Sequence, residues 1–199
     1  MEPILTTIGV TLLAYLLGSV PFGVIVGRMA TGRDVRAGGS GHSGGTNVVR
    51  QAGWLAGAIV AALDVTKGFV ALWLARRYGG SEWAIVTATI AVVAGHCWPC
   101  FAGFRGGVGL SAAGGALLAI YPLGFVVGLG LAAAGTLLLR HGARSNVIGG
   151  LLFGPLIWLV SHSAVLALAT GGAGVIVAIR ASRDWHRVYR EVWLDRDRS

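Results

Sequence analysis

The run ILTTIGVTLLAYLLGSVPFGVIVG, residues 4–27, carries no charged side chain over 24 consecutive positions. A helix rises about 1.5 Å per residue and a bilayer's hydrocarbon core is roughly 30 Å thick, so a run of this length reads as a membrane-spanning helix. No lysine or arginine precedes it. It therefore lacks the basic start of a secretory signal peptide, and the first helix is expected to stay attached. The rest of the chain has the same character. Of 199 residues, 55% are hydrophobic and 12% charged, with a mean hydropathy of +0.73. Soluble domains carry about 25% charged residues, so this chain has too little charge to solvate a globule.

Residues 53–75 and 83–98 read as two further spans, and the remaining apolar sequence, broken by glycines and by Pro122 and Pro155, divides near 107–120, 122–140, 146–161 and 163–180. The expected fold is an all-α integral membrane protein, a bundle of about seven transmembrane helices with glycine-rich cytoplasmic loops. It forms a single domain over residues 1–199, with a cytoplasmic tail from about 181. The fourth and sixth spans are short, and the fourth either crosses a locally thinned bilayer or re-enters. The 33 glycines suit close helix approach in lipid. Gly23 and Gly27, Gly124 and Gly128, and Gly150 and Gly154 each stand four apart, which puts a smooth patch on one helix face.

Arg28, Arg33, Arg36 and Arg50 follow the first span, Arg105 the third, Arg140 and Arg144 the fifth, and Arg180, Arg183, Arg187, Arg190, Arg196 and Arg198 the seventh. Basic residues are retained on the cytoplasmic side, so these connections are expected there and the amino terminus outside. Arg76, Arg77 and Glu82 fall on the opposite side. Trp54, Trp98 and Trp185 then lie near one interface and Trp73 and Trp83 near the other, as indole rings prefer. The net charge of +8 does not indicate nucleic acid, because the arginines lie between apolar runs rather than along one solvated face. Cys97-Trp98-Pro99-Cys100 has redox-pair spacing, or half of a zinc site beside His96, but no second such pair exists. Neither a metal nor a cofactor is expected.

Chemistry is expected in two loops. Asp34 to Arg50 reads DVRAGGSGHSGGTNVVR, too polar to cross lipid. Gly38, Gly39, Gly41, Gly44 and Gly45 permit positive φ, so successive N–H groups are expected to converge into an anion-binding nest, completed by Ser40, Thr46 and Arg50. The competing reading is a plain polar connector, and the Walker pattern GxxxxGK[ST] is absent. The second loop, GHCWPCFAGFRGGVG at 95–109, places Arg105 before Gly106 and Gly107 at the start of the fourth span, an arrangement suited to an anion at a helix amino terminus. Arginine holds phosphate through a planar fork, so two such loops suggest two phosphorylated substrates. Asp64 and Lys67, three apart within the second span, read as a structural ion pair facing the bundle interior. His42 and His96 are candidate general bases, with a structural hydrogen bond preferred for His96. His141 and His162 have no supporting neighbours in the sequence.

Taken together, GSVPFGVIVGR at 18–28, DVR at 34–36, GSG at 39–41, TNVVRQAG at 46–53, LDVTKG at 63–68 and GHCWPCFAGFRGG at 95–107 resemble the acyl-phosphate-dependent glycerol-3-phosphate acyltransferases of bacterial phospholipid synthesis, the PlsY family. The resemblance implies a seven-helix protein of the bacterial cell membrane. Its substrates would be acyl phosphate and glycerol 3-phosphate, with membrane lipid around it. The acyl chain would move to the 1-hydroxyl, giving lysophosphatidate and phosphate. It implies catalytic roles for Ser40, His42, Arg50 and Arg105, and substrate contacts for Gly39, Gly41, Thr46, Asn47, Gly106, Gly107 and His186. On this reading the glycine-rich N–H groups and Arg105 hold the donor phosphate, Arg50 holds the acceptor phosphate and Ser40 orients the hydroxyl. His42 or the donor phosphate takes its proton. His42 stands where the family has asparagine, Gly45 where it has alanine, Arg105 where it has lysine and Val108 where it has a second lysine. The family's carboxyl-terminal HRxN pattern meets RASRDWHRVYR at 180–190: either His186 matches with Tyr189 in place of asparagine, or Asp184 holds the asparagine position. Rival readings are a homologue with another acceptor or no catalysis, and a small-anion transporter, for which Asp64 and Lys67 would be the only midplane ionisable candidates.

Overall fold

Proline 21 has no N–H to give a helix and disfavours helical geometry in the residue before it, so the first apolar run is not one rod. The computed structural model describes residues 2–187. In it α1 (Glu2–Gly18) ends before Ser19 and α2 (Phe22–Thr31) resumes after Pro21. The break exposes the Val20 carbonyl inside the bundle, and Lys67 Nζ donates to it at 3.0 Å. The same ammonium lies 2.8 Å from Asp64 Oδ1, with both side chains at most 5% exposed. The pair thus closes an interruption in the backbone of the first span. Lys67→Met strands both a carboxylate and a carbonyl, and breaking a buried pair in this way costs about 3–5 kcal/mol. Thermal unfolding in detergent is expected to show a large loss of stability in Lys67→Met, and a smaller one when Asp64→Leu is added. A single variant as stable as the parent would contradict this role.

The remaining helices are α3 (Gly45–Ala52), α4 (Trp54–Tyr78), α5 (Glu82–Cys97), α6 (Leu110–Ile120), α7 (Pro122–Leu139), α8 (Gly142–Ser161) and α9 (Ala164–Ser182), with 3-10 turns at Val35–Ala37 and Cys100–Ala102. Among the described residues there is no strand. Six stretches are long and apolar enough to cross a membrane, the first being α1 and α2 together, and α6 is a shorter apolar helix. This is an all-helical integral membrane bundle. Two expectations are corrected. The first loop is helical from Gly45, because Gly44 and Gly53 bound a short helix that buries Asn47 and Val48. The sixth span begins at Gly142 rather than 146, because the His141 ring caps it by accepting from Arg144 N–H at 3.3 Å.

At about 1.5 Å per residue, the 11 residues of α6 reach only about 16 Å. The far end is nevertheless joined to the far end of α4, where Arg76 Nη1 donates to the Ala119 carbonyl at 2.9 Å. Pro122 then starts α7 in the opposite direction, so α6 runs through to that side rather than turning back. Its other end is therefore sunk within the bundle.

Glycine seams join these helices. A methyl on Gly68 or Gly115 would overlap the Ala112 or Val65 carbonyl between α4 and α6, and one on Gly18 or Gly95 would overlap the Val92 or Tyr15 carbonyl between α1 and α5. Gly150 and Gly154 face Gly174 and Gly171 across α8 and α9, and Gly128 faces Phe153. Gly23 and Gly27 differ: they receive Ser43 and Val35 of the first loop, not another span. Leu72, Val92, Val93, Ala88 and Ala116 form the core beneath the loops.

Candidate active site

Asp34 starts the first loop by accepting from Arg36 N–H at 3.0 Å, and the Arg36 side chain turns back on the same carboxylate, Nε to Oδ1 at 3.0 Å and Nη2 to Oδ2 at 2.8 Å. The third guanidinium nitrogen, Nη1, donates to the carbonyls of Ala102 at 2.7 Å and Arg105 at 3.0 Å. Asp-Val-Arg is therefore a strap between the two loops. From the other side Arg180, 6% exposed, donates from Nε to Gly107 O at 3.2 Å and from Nη2 to Gly106 O at 3.1 Å. Ser43 N–H adds a bond to Gly106 O at 3.4 Å. The Arg36 hydrogen bond, aided by the charges of Arg36 and Arg28, holds the Asp34 carboxyl down at about 2 against the effect of burial. A lowered folded value means that the strap contributes above the ordinary carboxylate range and is lost as pH falls from about 4 toward 2. Pepsin cleavage within residues 34–43 is expected to rise in that window, and Asp34→Asn is expected to be cleaved already at pH 4. Equal cleavage of both proteins at pH 4 would count against the strap.

Asn47, 2% exposed, organises the first loop from inside. Its Oδ1 accepts from Ser40 N–H at 2.8 Å, and its Nδ2 donates to the carbonyls of Val35 and His42 at 2.8 Å each and of Gly38 at 3.3 Å. Gly41 N–H donates to Gly38 O, and His42 N–H to Ser40 Oγ at 3.4 Å. The amides of residues 40–43 are thus all engaged within the protein, which corrects the expectation of a nest there. Gly39 and Gly41, at φ +58° and +71°, serve the turn itself. The second loop behaves alike, since Gly106 N–H donates to Cys97 O and Gly107 N–H to His96 O. The amides of Gly41, Gly106 and Gly107 are therefore taken by backbone carbonyls.

Donors come instead from helix ends. A cavity of about 440 Å³ lies between the loops, lined by Ser40, His42, Thr46, Asn47, Arg50, His96 and Asp184. The first residues of α3 (Gly44, Gly45), α6 (Gly109, Leu110, Ser111) and α8 (Gly142, Ala143) also line it. Gly44 and Gly109 leave α3 and α6 without a side-chain cap. Uncapped N–H groups and the positive dipole end of a helix favour anions, and here three helix starts converge. Among the described lining residues Arg50 is the only arginine or lysine, and Val108 stands on the wall.

Of the expected site residues, Ser40, His42, Thr46, Asn47 and Arg50 meet at this cavity, whereas Gly39, Gly41, Arg105, Gly106, Gly107 and His186 do not line it. Arg105 and His186 are exposed, Arg105 because the strap from Arg36 grips its carbonyl and leaves its side chain outside. Asp184 does line the cavity, and its Oδ2 lies 2.6 Å from His42 Nε2. Burial raises the Asp184 carboxyl, but the His42 hydrogen bond and the charges of His42, Arg187 and Arg180 outweigh it and hold the group below the usual carboxylate range. Tyr189 and the arginines at 190, 196 and 198 lie outside the described residues. His96 Nδ1 is 3.4 Å from Asp64 Oδ1 but makes no hydrogen bond among the described residues, so the structural hydrogen bond expected of it is not formed there. Cys97 Sγ donates to Val108 O at 3.3 Å, and neither cysteine is in a disulfide. The sequence reading named Arg36 in the DVR motif without giving it a role and treated Arg180 only as an orientation charge, so both loop contacts were missed.

A second cavity of about 330 Å³ adjoins the first, sharing Leu110, Ser111, Ala132 and Asn146, and is walled by Val65, Leu117, Phe125, Leu129, Phe153 and Val177 with several glycines. A chamber lined by polar side chains and helix starts thus lies beside an apolar one between the spans.

These features define a multi-pass membrane protein with a chamber lined by polar side chains and helix starts at one end of its bundle. The sequence pattern of the glycerol-3-phosphate acyltransferase family matches residues 8–191. A glycerol-3-phosphate acyltransferase of Laribacter hongkongensis is 38% identical over 168 residues, covering 82% of this chain and 84% of that one. One of Thermus thermophilus is 38% identical over 164 residues, covering 79% and 82%. The crystal structure of PlsY, an integral membrane glycerol 3-phosphate acyltransferase, in its glycerol 3-phosphate form, superposes with a TM-score of 0.81 at 27% identity, covering 91% of this chain and 90% of that chain. The same enzyme in its lysophosphatidic acid form gives 0.75 at 25% identity. The chain belongs to the glycerol-3-phosphate acyltransferase family.

Proposed function

We propose that this protein transfers a fatty acyl group from acyl phosphate to the 1-hydroxyl of glycerol 3-phosphate, giving lysophosphatidate and inorganic phosphate. The observation that carries the reading is the adjacency of the two cavities, which share Leu110, Ser111, Ala132 and Asn146. The donor has a phosphate head and an acyl tail joined through the reacting carbonyl, and a chamber with polar side chains beside an apolar one suits both ends with the carbonyl at their shared wall.

Acyl phosphate is a mixed anhydride and already activated, so no nucleophilic side chain is required. The protein's tasks are to hold two anions together, bring the hydroxyl to the carbonyl and stabilise the tetrahedral oxyanion. Arg50 holds the glycerol 3-phosphate phosphate, and the α3 and α6 amino termini hold the donor phosphate. Ser40 orients the hydroxyl: its Oγ already accepts from His42 N–H, which leaves its own O–H to donate. Gly39, Gly41, Asn47, Gly106 and Gly107 act by shaping the two loops, and Thr46 borders the chamber. Arg105 and His186 are assigned no contact with substrate. The chain is read as one domain in the bacterial cell membrane with the chamber on the cytoplasmic side, because most of the arginines lie at that end.

The direct test is product identity. Protein purified in detergent and given palmitoyl phosphate and glycerol 3-phosphate is expected to form 1-palmitoyl lysophosphatidate, detected by mass spectrometry. Free palmitate as the sole product would replace transfer with hydrolysis.

A further inference from the structure

The contact between His42 and Asp184 joins positions 142 residues apart and brings a carboxylate into a chamber otherwise arranged for anions. It is a built contact. The turn that carries Asp184 is pinned to the start of α8, where Arg144 stacks on the Trp185 ring at 5.5 Å and donates from Nε to Trp185 O at 3.3 Å. The His42 side chain is 11% exposed. Its Nε2 is taken by Asp184, whereas Nδ1 is buried and makes no hydrogen bond among the described residues. Buried polar atoms are almost always satisfied, so an unsatisfied nitrogen on a cavity wall marks a place for a ligand atom.

We propose that His42 and Asp184 form a base dyad in this enzyme, with His42 Nδ1 taking the proton of the attacking hydroxyl and Asp184 acting as the positioning residue that fixes the ring and its tautomer. The inference rests on the acyl-transfer reading and adds the proton's path to it. An ionised Asp184 accepts from Nε2–H, which leaves the lone pair on Nδ1. As the glycerol 3-phosphate oxygen bonds to the acyl carbon, its proton passes to Nδ1. When the tetrahedral intermediate collapses, the bond from carbon to the phosphate oxygen breaks and the proton passes from Nδ1 to the departing phosphate, restoring the neutral ring. The charged and titratable groups sharing the chamber with His42 are Arg50, His96 and Asp184, and Arg180 and Arg187 act on Asp184 from behind.

Three proteins test this: the parent, His42→Gln and Asp184→Asn, assayed for acceptor-dependent phosphate release between pH 5 and 9. Absence of such release in the parent would fail the acyl-transfer reading itself. With the parent active, His42→Gln is expected to lower kcat by about 10²- to 10³-fold with little change in KM, because general-base catalysis contributes about 10²- to 10⁴-fold. It is also expected to lose the fall in kcat/KM on the acid side. Asp184→Asn is expected to lower kcat by about 10-fold or more and to move that acid limb to lower pH, because loss of the neighbouring anion disfavours the protonated ring. Asp184→Glu is expected to recover part of the rate. An unchanged kcat and pH profile in His42→Gln would overturn the dyad. So would a loss of rate on the alkaline side in the parent that His42→Gln abolishes, since that would make the ring a cation for phosphate rather than a base. Nitrogen NMR of labelled histidine in the substrate-free protein gives a readout independent of turnover: protonated Nε2 and unprotonated Nδ1 are expected at the pH of maximal rate, and the opposite tautomer would overturn the assignment.

Discussion

Arg50→Ala is expected to lower kcat/KM by about 10²- to 10³-fold, equivalent to about 3–4 kcal/mol. Arg50 lies on α3 and lines the chamber, whereas the bonds that frame the chamber are made by Arg36, Asn47 and Arg180. Removing the guanidinium therefore removes a phosphate partner and leaves those bonds in place. Among the described lining residues there is no other arginine or lysine to take its place. Arg50→Lys is expected to recover only part of the loss, since an ammonium supplies a point charge without the planar fork. The effect should appear in the KM for glycerol 3-phosphate as well as in kcat. Arg50→Ala with parental kinetics would remove this residue from the acceptor site.

Gly23→Ala is expected to cost nearly as much from outside the chamber. The Ser43 carbonyl lies against the Gly23 α-carbon so closely that a β-carbon would overlap it, and a backbone oxygen cannot swing aside as a side-chain end can. Ser43 must retreat, taking with it the bond from its N–H to Gly106 O and the register of Ser40 and His42 beside it. A misplacement of about 1 Å in positioned groups costs about 100-fold in rate, and that loss is expected here, with a stability penalty of about 1–3 kcal/mol for overpacking. Gly9→Ala is the matched control: nothing lies within 4 Å of its would-be β-carbon, so activity should be unaffected. Equal activity in Gly23→Ala and the parent would mean that the first loop tolerates displacement.

The bundle was legible in the sequence because runs such as 54–78 and 82–97 are long, apolar and bounded by polar turns, and few soluble folds produce that pattern. The break at Pro21 was not, because unbroken hydropathy over 4–27 hides an interrupted backbone. The partner that makes the break tolerable, Lys67, is 46 residues away in sequence from Pro21. The polar residues of the chamber were legible from type and spacing, so Ser40, His42, Thr46, Asn47 and Arg50 were found. Which backbone groups face a ligand was not, because that depends on where each N–H finds its acceptor. The glycines of the second loop look like phosphate donors, yet Gly106 and Gly107 bond to Cys97 and His96. The helix starts that line the chamber without a side-chain cap are those of α3 and α6 instead. Gly23 and Gly27 looked like a patch for another span, yet they seat the first loop. The carboxyl-terminal motif could be aligned in two ways, and the contact of Asp184 with His42, 142 residues away, was not legible from either.

Phosphate release from purified protein given an acyl phosphate, measured with and without glycerol 3-phosphate, tests acyl transfer most directly. Release is predicted to rise with glycerol 3-phosphate, to saturate, and to match the lysophosphatidate formed mole for mole. Release that is independent of glycerol 3-phosphate, or no release at all, would contradict acyl transfer by this protein.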